Sequence, residues 1–358
     1  MNRVYNFCAG PAVLPEETLL EAQKELLDFN GSGMSVLECS HRGKEYAAVH
    51  DECVANLKKL LKLSDDYAVL FLQGGASTQF AMVPINLLTN GQTADYVNSG
   101  AWASKAIKEA KLIGKVNVAA NCEKEIPTRV PSEKEMKLTP GAAYVHITSN
   151  ETISGAQYKA FPKTEAPLVC DMSSDFLSRP FDANQFGLIY AGAQKNLGPA
   201  GVAVVVIRKD LAERVPANTP TMFKYKTHIE ENSLYNTPPC FTIYMINLVT
   251  RWIEKMGLEN LYRQNVQKAK KIYDVLDNSK FYKGTAVKEC RSDMNITFRL
   301  PSEQLEELFV KEASAQRMKG LKGHRSVGGI RASIYNAFPV QGVDALVSFM
   351  KEFEKKNG

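Results

Sequence analysis

Cysteine pairs, metal-ligand spacings and long apolar runs are all missing from this 358-residue chain. Its seven cysteines (Cys8, Cys39, Cys53, Cys122, Cys170, Cys240 and Cys290) are odd in number and form no CxxC pair. That pattern speaks against a disulfide framework and reads as reduced thiols in a cytoplasmic protein. The five histidines are scattered, with neither HExxH nor another ligand spacing, so no metal is expected. No apolar run approaches membrane-spanning length, and the first residues turn polar at once, so neither a span nor a signal peptide is expected. No basic run is interleaved with aromatics, which sets nucleic acid aside as a partner. GxGxxG and the P-loop lysine are absent too, which removes two common nucleotide-binding fingerprints.

What is present is an ordinary globular composition: 44% apolar, 23% charged, net charge +5. The length suits one large domain plus a smaller one, and the mild, dispersed positive excess suits anionic small molecules. Residues 1–15 read as an irregular arm, with turn chemistry at Phe7-Cys8-Ala9-Gly10-Pro11. Helical spacing runs from Pro15 to Phe29, with Leu19, Ala22, Leu26 and Leu27 on its apolar face, and again from Tyr46 to Leu61. Strand and helix patterns then alternate: strands at 67–72, 94–98, 116–118, 143–147, 168–171, 188–191 and 202–207, helices at 79–88 and 101–113. Such alternation predicts an α/β fold, a mostly parallel sheet with helices on both faces. Phe241 to Leu276 reads as helix, interrupted near Met256-Gly257. Beyond it, strands at 294–300 and 327–335 and helices at 302–317, with Ser302 as a cap, and at 343–355 predict a smaller α+β unit. The expected division is a large domain over 16–258 and a small one over 259–358, joined by the arm 1–15.

Lys195 is the residue that composition explains least. It sits among small residues, Ala191-Gly192-Ala193-Gln194-Lys195-Asn196-Leu197-Gly198-Pro199, between two apolar strand patterns. Asp171 ends another apolar run, Pro167 to Asp171. A lysine at one strand end and a carboxylate at the next suit pyridoxal phosphate. The amine can form a Schiff base with the cofactor aldehyde, and the aspartate can keep the pyridine nitrogen protonated. The bland alternative is a lysine in a Gly/Pro turn.

Other segments bear on that choice. Gln73-Gly74-Gly75-Ala76-Ser77-Thr78 joins a strand to a helix, so it can offer free N–H groups and hydroxyls to a phosphate, or be a plain capped turn. Trp102 follows a strand and can stack on a flat ring, or fill the core. Thr152 lies in the polar turn Asn150 to Gly155. Ligands of open α/β sheets bind beyond the carboxyl ends of the strands. Ala76-Ser77, Trp102, Thr152, Asp171 and Lys195 all fall there, and five coincidences argue for one site. Arg331, among apolar strand residues, needs an anionic partner or exposure, and a substrate carboxylate would serve. His41-Arg42 and His324-Arg325 add cations in two other loops. Asn236 and Thr237 stand in a polar turn before a long helix, able to donate to a phosphate or to act as a cap.

Taken together, HRGKE from His41, AGAQKNLGPAG from Ala191 and KGHRSVGGIRASIYNA from Lys322 are specific. With Phe7 to Pro15, Gly74 to Phe80, Asn150 to Gly155 and Tyr235 to Pro239, they span the chain end to end. It resembles the phosphoserine aminotransferase family, fold-type I pyridoxal-phosphate enzymes grouped with the class V aminotransferases. The resemblance implies one pyridoxal 5'-phosphate per subunit on Lys195, with Asp171 at the pyridine nitrogen and Trp102 on the ring. It implies Thr152 as a further cofactor contact, Ala76, Ser77 and Gln194 at the phosphate, and Asn236 and Thr237 reaching the neighbouring subunit's cofactor in a homodimer. It implies Arg331 at the substrate α-carboxylate, and His41, Arg42, His324 and Arg325 at the substrate phosphate or side-chain carboxylate. The implied reaction is amino transfer between L-glutamate and 3-phosphohydroxypyruvate, giving O-phospho-L-serine and 2-oxoglutarate in serine biosynthesis. A second role, on 4-phosphohydroxy-L-threonine in vitamin B6 synthesis, is suggested on the same ground. A cysteine desulfurase is disfavoured because no cysteine follows Cys290. Two departures from the family pattern stand out: Ala9, where some members carry a hydroxyl, and a phosphate loop without the arginine of others.

Overall fold

The computed structural model describes residues 3–89 and 91–358; Met1 and Asn2 of the arm, and Asn90, lie outside the described residues. A seven-stranded sheet forms the centre. Its strands are β1 (Tyr67–Leu72), β2 (Thr93–Asn98), β3 (Lys115–Asn121), β4 (Val145–Thr148), β5 (Leu168–Asp171), β6 (Phe186–Gly192) and β7 (Ala203–Arg208). They lie side by side in the order β1, β7, β6, β5, β4, β2, β3. Only β7 runs against the rest, antiparallel to both β1 and β6. β5 and β6 are buried along their whole length, as their unbroken apolar sequences require of strands covered on both faces.

Helices cover both faces: α1 (Glu16–Glu25), α2 (Lys44–Leu61), α3 (Gly75–Leu87), α4 (Ala101–Ile113) and α5 (Cys240–Met256). One apolar cluster, with Tyr46, Leu57, Phe176, Ile243 and Leu248, packs α2 and α5 on one face. A second, with Phe80, Val83, Ile107 and Ala110, packs α3 and α4 on the other. α1 is shorter than its spacing predicts. It stops at Glu25, and Leu27 is 86% exposed. Phe29 takes the core position instead, edge-on to Tyr244 at 5.7 Å, just before a turn in which Asn30 and Gly31 adopt positive φ.

Gly257 (φ 75°) ends α5, and α6 (Leu258–Asn278) leads into a three-stranded sheet built from β8 (Lys283–Gly284), β9 (Asn295–Arg299) and β10 (Ile330–Ser333). Two further helices pack there, α7 (Glu303–Ala315) and α8 (Val340–Asn357). Ser302 caps α7 as its sequence predicts, its side chain accepting from the Leu305 N–H. The strand predicted over 327–335 is shorter, because Gly328 and Gly329 take positive φ and turn the chain before Ile330. This part has its own apolar cluster, centred on Phe309, whose ring meets Tyr282, Phe298, Phe349 and Phe353.

The arm is more regular than predicted. Tyr5 and Asn6 pair in parallel with Met318 and Lys319, and Phe7 is fully buried against Phe338 in the C-terminal cluster. Beyond this pairing, the Ala12 N–H donates to the Gln194 carbonyl at 2.9 Å, so one short segment touches both parts of the molecule.

Candidate active site

Five parallel strands deliver their carboxyl ends to one edge of the sheet. β1 leads into the turn before α3, β2 into Gly100 and α4, β4 into the turn holding Thr152, β5 ends on Asp171, and β6 leads to Lys195. Register places Thr148, Asp171 and Tyr190 side by side on β4, β5 and β6. β7, running the other way, returns the chain from Lys195, and the connection is closed by the Ala193 N–H donating to Val202 at 2.9 Å.

Lys195 is buried, and its Nζ donates to Thr152 Oγ1 at 2.7 Å. The same Nζ stands 5.5 Å from the centre of the Trp102 ring. Burial pulls the ammonium down to about 8; Asp171 opposes this and Arg331 reinforces it. Burial raises Asp171, offset by Lys195 and by Ser173, whose N–H donates to Asp171 Oδ1 at 2.9 Å. Burial therefore drives both groups toward neutrality, and each opposes the other's drift.

Arg331, on β10, reaches in from the C-terminal part and donates to the Thr152 carbonyl at 3.5 Å. Its Nε and the Trp102 Nε1 are buried without a hydrogen-bond partner. His324 lies near enough to Arg331, Lys105 and Arg325 for all three cations to lower it, after burial. Thr152 therefore joins Lys195 and Arg331, with Trp102 beside Lys195 and the His324-Arg325 loop near Arg331. A cavity of about 550 Å³ opens beside Arg331, between residues 123–128 and 323–331. A larger one of about 860 Å³, bordered by Thr139, Lys163 and Arg214, lies where β4 and β5 begin and contains none of the candidate residues.

Ala76 and Ser77 fall in the first turn of α3, where N–H groups have no partner inside the helix. Gly74 (φ 85°) is confined to glycine doubly, since a Cβ there would overlap Thr78 Oγ1 at 1.8 Å. Gln194 holds the arm through its carbonyl, and its side chain lies over Gly192. Of the two remaining predicted pairs, Asn236 borders the start of α3 and His41 groups with Thr237. Asn236 shares a depression with Gly74, Thr78 and Phe223, and its amide donates to the neighbouring Thr237 carbonyl at 3.1 Å. His41 lines a surface depression with Thr237 and Pro238, and Arg42 is exposed beside it.

Sequence reasoning missed Glu151 and Lys105. Glu151 is fully buried and accepts from the main-chain N–H of Trp102 (3.2 Å) and of Ala103 (3.1 Å) and from Ser99 Oγ (3.4 Å). It thus caps α4 and fastens Trp102 to the residue beside Thr152. Burial raises its carboxyl to about 7. The signal was a charge inside Asn150 to Gly155 facing a glycine, Gly100, where a Cβ would stand 2.6 Å from Glu151 Cδ. Lys105, one helical turn after Trp102, holds its Nζ 4.1 Å from the centre of the indole.

These residues fit pyridoxal phosphate. A buried amine of lowered proton affinity, a carboxylate on the adjacent strand, an indole with an unpartnered N–H and a glycine-rich helix start match its aldehyde, ring nitrogen, ring face and phosphate. Among the described residues no group of three metal-ligating side chains stands together, and no helix is long and apolar enough to cross a membrane.

The sequence model described as Aminotransferase class-V matches residues 4–346. A curated relative, phosphoserine aminotransferase of Desulfatibacillum aliphaticivorans, is 60% identical over 100% of this chain and 99% of its own. The enzyme of that name from Niallia circulans is 58% identical over 99% of each chain. Among solved structures, phosphoserine aminotransferase from Bacillus circulans subsp. alkalophilus superposes with a TM-score of 0.97, at 56% identity and 100% coverage of both chains. The pyridoxal-phosphate-bound phosphoserine aminotransferase of Trichomonas vaginalis gives 0.94, at 41% identity over 98% of this chain and 100% of that one. An alanine–glyoxylate aminotransferase from Nostoc, 14% identical over 99% of this chain and 96% of its own, shares the fold at 0.79.

Proposed function

The chain belongs to the class-V aminotransferase family, and from that premise we propose that it moves an amino group between L-glutamate and 3-phosphohydroxypyruvate, forming O-phospho-L-serine and 2-oxoglutarate. The observation that carries the reading is the convergence of Lys195, Thr152, Trp102 and Arg331, with Asp171 close enough to bias Lys195. Pyridoxal phosphate, one per subunit and held by Lys195, supplies the electron sink that makes the substrate α-proton removable. Every other task falls to side chains of the protein. Asp171 presents its carboxylate to the ring nitrogen. Trp102 covers the ring, and Ala76, Ser77 and Gln194 hold the phosphate. Arg331 grips the α-carboxylate and so sets the α-carbon over Lys195. Lys195 Nζ would take the proton from that carbon as general base and donate a proton elsewhere in the amino shift as general acid, a task for which a proton affinity near 8 is suited.

His324 and Arg325 face the substrate's second anionic group. Three cations bear on His324 in that loop, which supports selection of a phosphate or a side-chain carboxylate over a neutral side chain. The same phosphate site would accept 4-phosphohydroxy-L-threonine, so that substrate belongs to the proposal. His41 groups with Thr237 rather than with Lys195, so we assign His41, Arg42, Asn236 and Thr237 together to the neighbouring subunit's site in a homodimer. Exposed Met222, Phe223 and Tyr235 around that region support a covered face. We retain the domain division at 258/259 with the arm joined to the smaller unit, and a cytoplasmic location in keeping with seven free cysteines.

The test is the cofactor absorbance of the purified holoenzyme during titration with O-phospho-L-serine, with L-serine as control. The band of the lysine-held cofactor should give way to that of the aminated form with phosphoserine only. Equal response to serine, or none to phosphoserine, would refute the substrate assignment. Lys195→Ala should abolish turnover while the far-UV spectrum stays native; undiminished turnover would remove Lys195 from its role.

A further inference from the structure

Helix α6 carries a lysine for which the amino-transfer chemistry has no use. Lys268 is 2% exposed. No carboxylate offsets its burial, which pulls the ammonium down to about 7. Its Nζ points instead at four main-chain carbonyls of a single turn: Ile334 at 3.1 Å, Tyr335 at 2.7 Å, Asn336 at 3.4 Å and Phe338 at 3.2 Å. An ammonium has three donors and a neutral amine two, so four converging carbonyls match the charged form. The turn behaves as a carbonyl cage closed around a cation that happens to be tethered to a helix.

The caged turn follows directly on β10, the strand of Arg331. Its central residue, Asn336, crosses to the large sheet. The Asn336 N–H donates to Asn196 Oδ1 at 3.0 Å, and Asn196 is the neighbour of Lys195. The Asn336 amide donates to the Leu177 carbonyl at 2.9 Å and accepts from Asn265 at 2.8 Å. Asn265 stands one turn before Lys268 on the same face of α6, and it also donates to the Ser178 carbonyl at 3.0 Å. Leu177 itself is held at φ 53°, a left-handed conformation that a branched side chain rarely takes without support. One helix thus grips, three residues apart, both the turn and the loop that the turn leans on.

We propose that Lys268 is a positioning residue: by gathering the carbonyls of residues 334–338 it seats Asn336 on Asn196 and fixes the distance between Arg331 and Lys195. The proposal rests on the amino-transfer reading above, because that distance matters only if one substrate must touch both side chains. Asp171 and the start of α3, two of the cofactor's own contacts, belong to elements outside α6 and the caged turn.

The experiment compares wild-type holoenzyme with Lys268→Met, Asn336→Ala and the double variant, using O-phospho-L-serine and L-glutamate as separate amino donors. Misplacement of reacting groups by about 1 Å costs on the order of 10- to 100-fold in rate. Lys268→Met should therefore lose about that much kcat and raise KM for both donors, while pyridoxal phosphate affinity stays within about twofold. Asn336→Ala should show the same pattern. The double variant should be no worse than Lys268→Met, since the two act in series. A folded Lys268→Met with wild-type kcat and KM per active site, or additive losses in the double variant, would overturn the proposal. If Lys268→Met does not fold, Asn336→Ala decides alone, and unchanged kinetics there overturn it. Wild-type enzyme inert to phosphoserine but active with glutamate would refute the phosphate assignment and leave the glutamate series to judge Lys268.

Discussion

In the cofactor-free protein, Lys195 should titrate near 8 instead of the 10.5 of a free lysine, because it is buried. At pH 7 such an amine is uncharged about one time in ten, against about one in three thousand for an unperturbed lysine, roughly a 300-fold gain in nucleophile. The same shift costs on the order of 3 kcal/mol of folding free energy at neutral pH. Its sign is fixed: the folded value lies below the unfolded one, so the unfolded chain binds more protons between about 8 and 10.5. Through this group the cofactor-free protein gains stability as pH rises across that window, and below it the cost is fully present. Two substitutions should move the midpoint in opposite directions. Arg331→Leu removes a cation that repels the ammonium, so Lys195 should titrate higher and react more slowly at pH 7. Asp171→Asn removes the anion that steadies the ammonium, so Lys195 should titrate lower. The assay is modification of the cofactor-free protein by a small uncharged aldehyde with reductive trapping, read on the Lys195 peptide by mass spectrometry across pH. A wild-type midpoint at about 10 or above would refute the reasoning, as would both variants shifting the same way.

Gly100→Ala tests the anchoring of Trp102: φ at Gly100 is 169°, so backbone strain is absent and the cost is the 2.6 Å approach of the new Cβ to buried Glu151. A loss of about 1–3 kcal/mol in urea unfolding, with weaker cofactor binding, is expected, and Glu151→Ser in the same chain should recover part of it; a change under about 0.5 kcal/mol would show that Glu151 yields freely. Phe309→Ala empties the centre of the C-terminal aromatic cluster and should cost about 3–5 kcal/mol, measured by denaturation with the unfolding of each part followed separately. A single cooperative loss of both parts at the original midpoint would contradict the placement of that core.

The sheet was legible because its strands are short apolar runs broken by turn residues, and the strand over 67–72 appears where its sequence puts it. The direction of β7 was not legible, since Val202 to Ile207 is apolar on both faces whichever way it runs. Leu26 and Leu27 extended a helical pattern that the chain abandons, because Phe29 competes better for the core. At the site, Lys195, Asp171 and Trp102 announced themselves as residues out of keeping with strand ends. Glu151 and Lys268 did not: each derives its role from partners far along the chain, Gly100 to Ala103 for one and Ile334 to Phe338 for the other. Asn336, in an apolar-looking stretch after β10, is a joint only because Asn196 and Leu177 come to meet it.

The seating of Phe7 among side chains from residues 269–353 sets an order of events during synthesis. The arm is made well before the side chains whose core it completes. Until some 310 further residues have been made, Tyr5 and Asn6 have no strand to join, and Phe7 waits longer still for the ring of Phe338. Closing so long a loop is entropically slow, so a nascent chain should hold its large sheet folded while its own beginning waits in solution. A fusion that tethers or crowds the amino terminus would then burden the last stage of maturation and leave the early stages untouched.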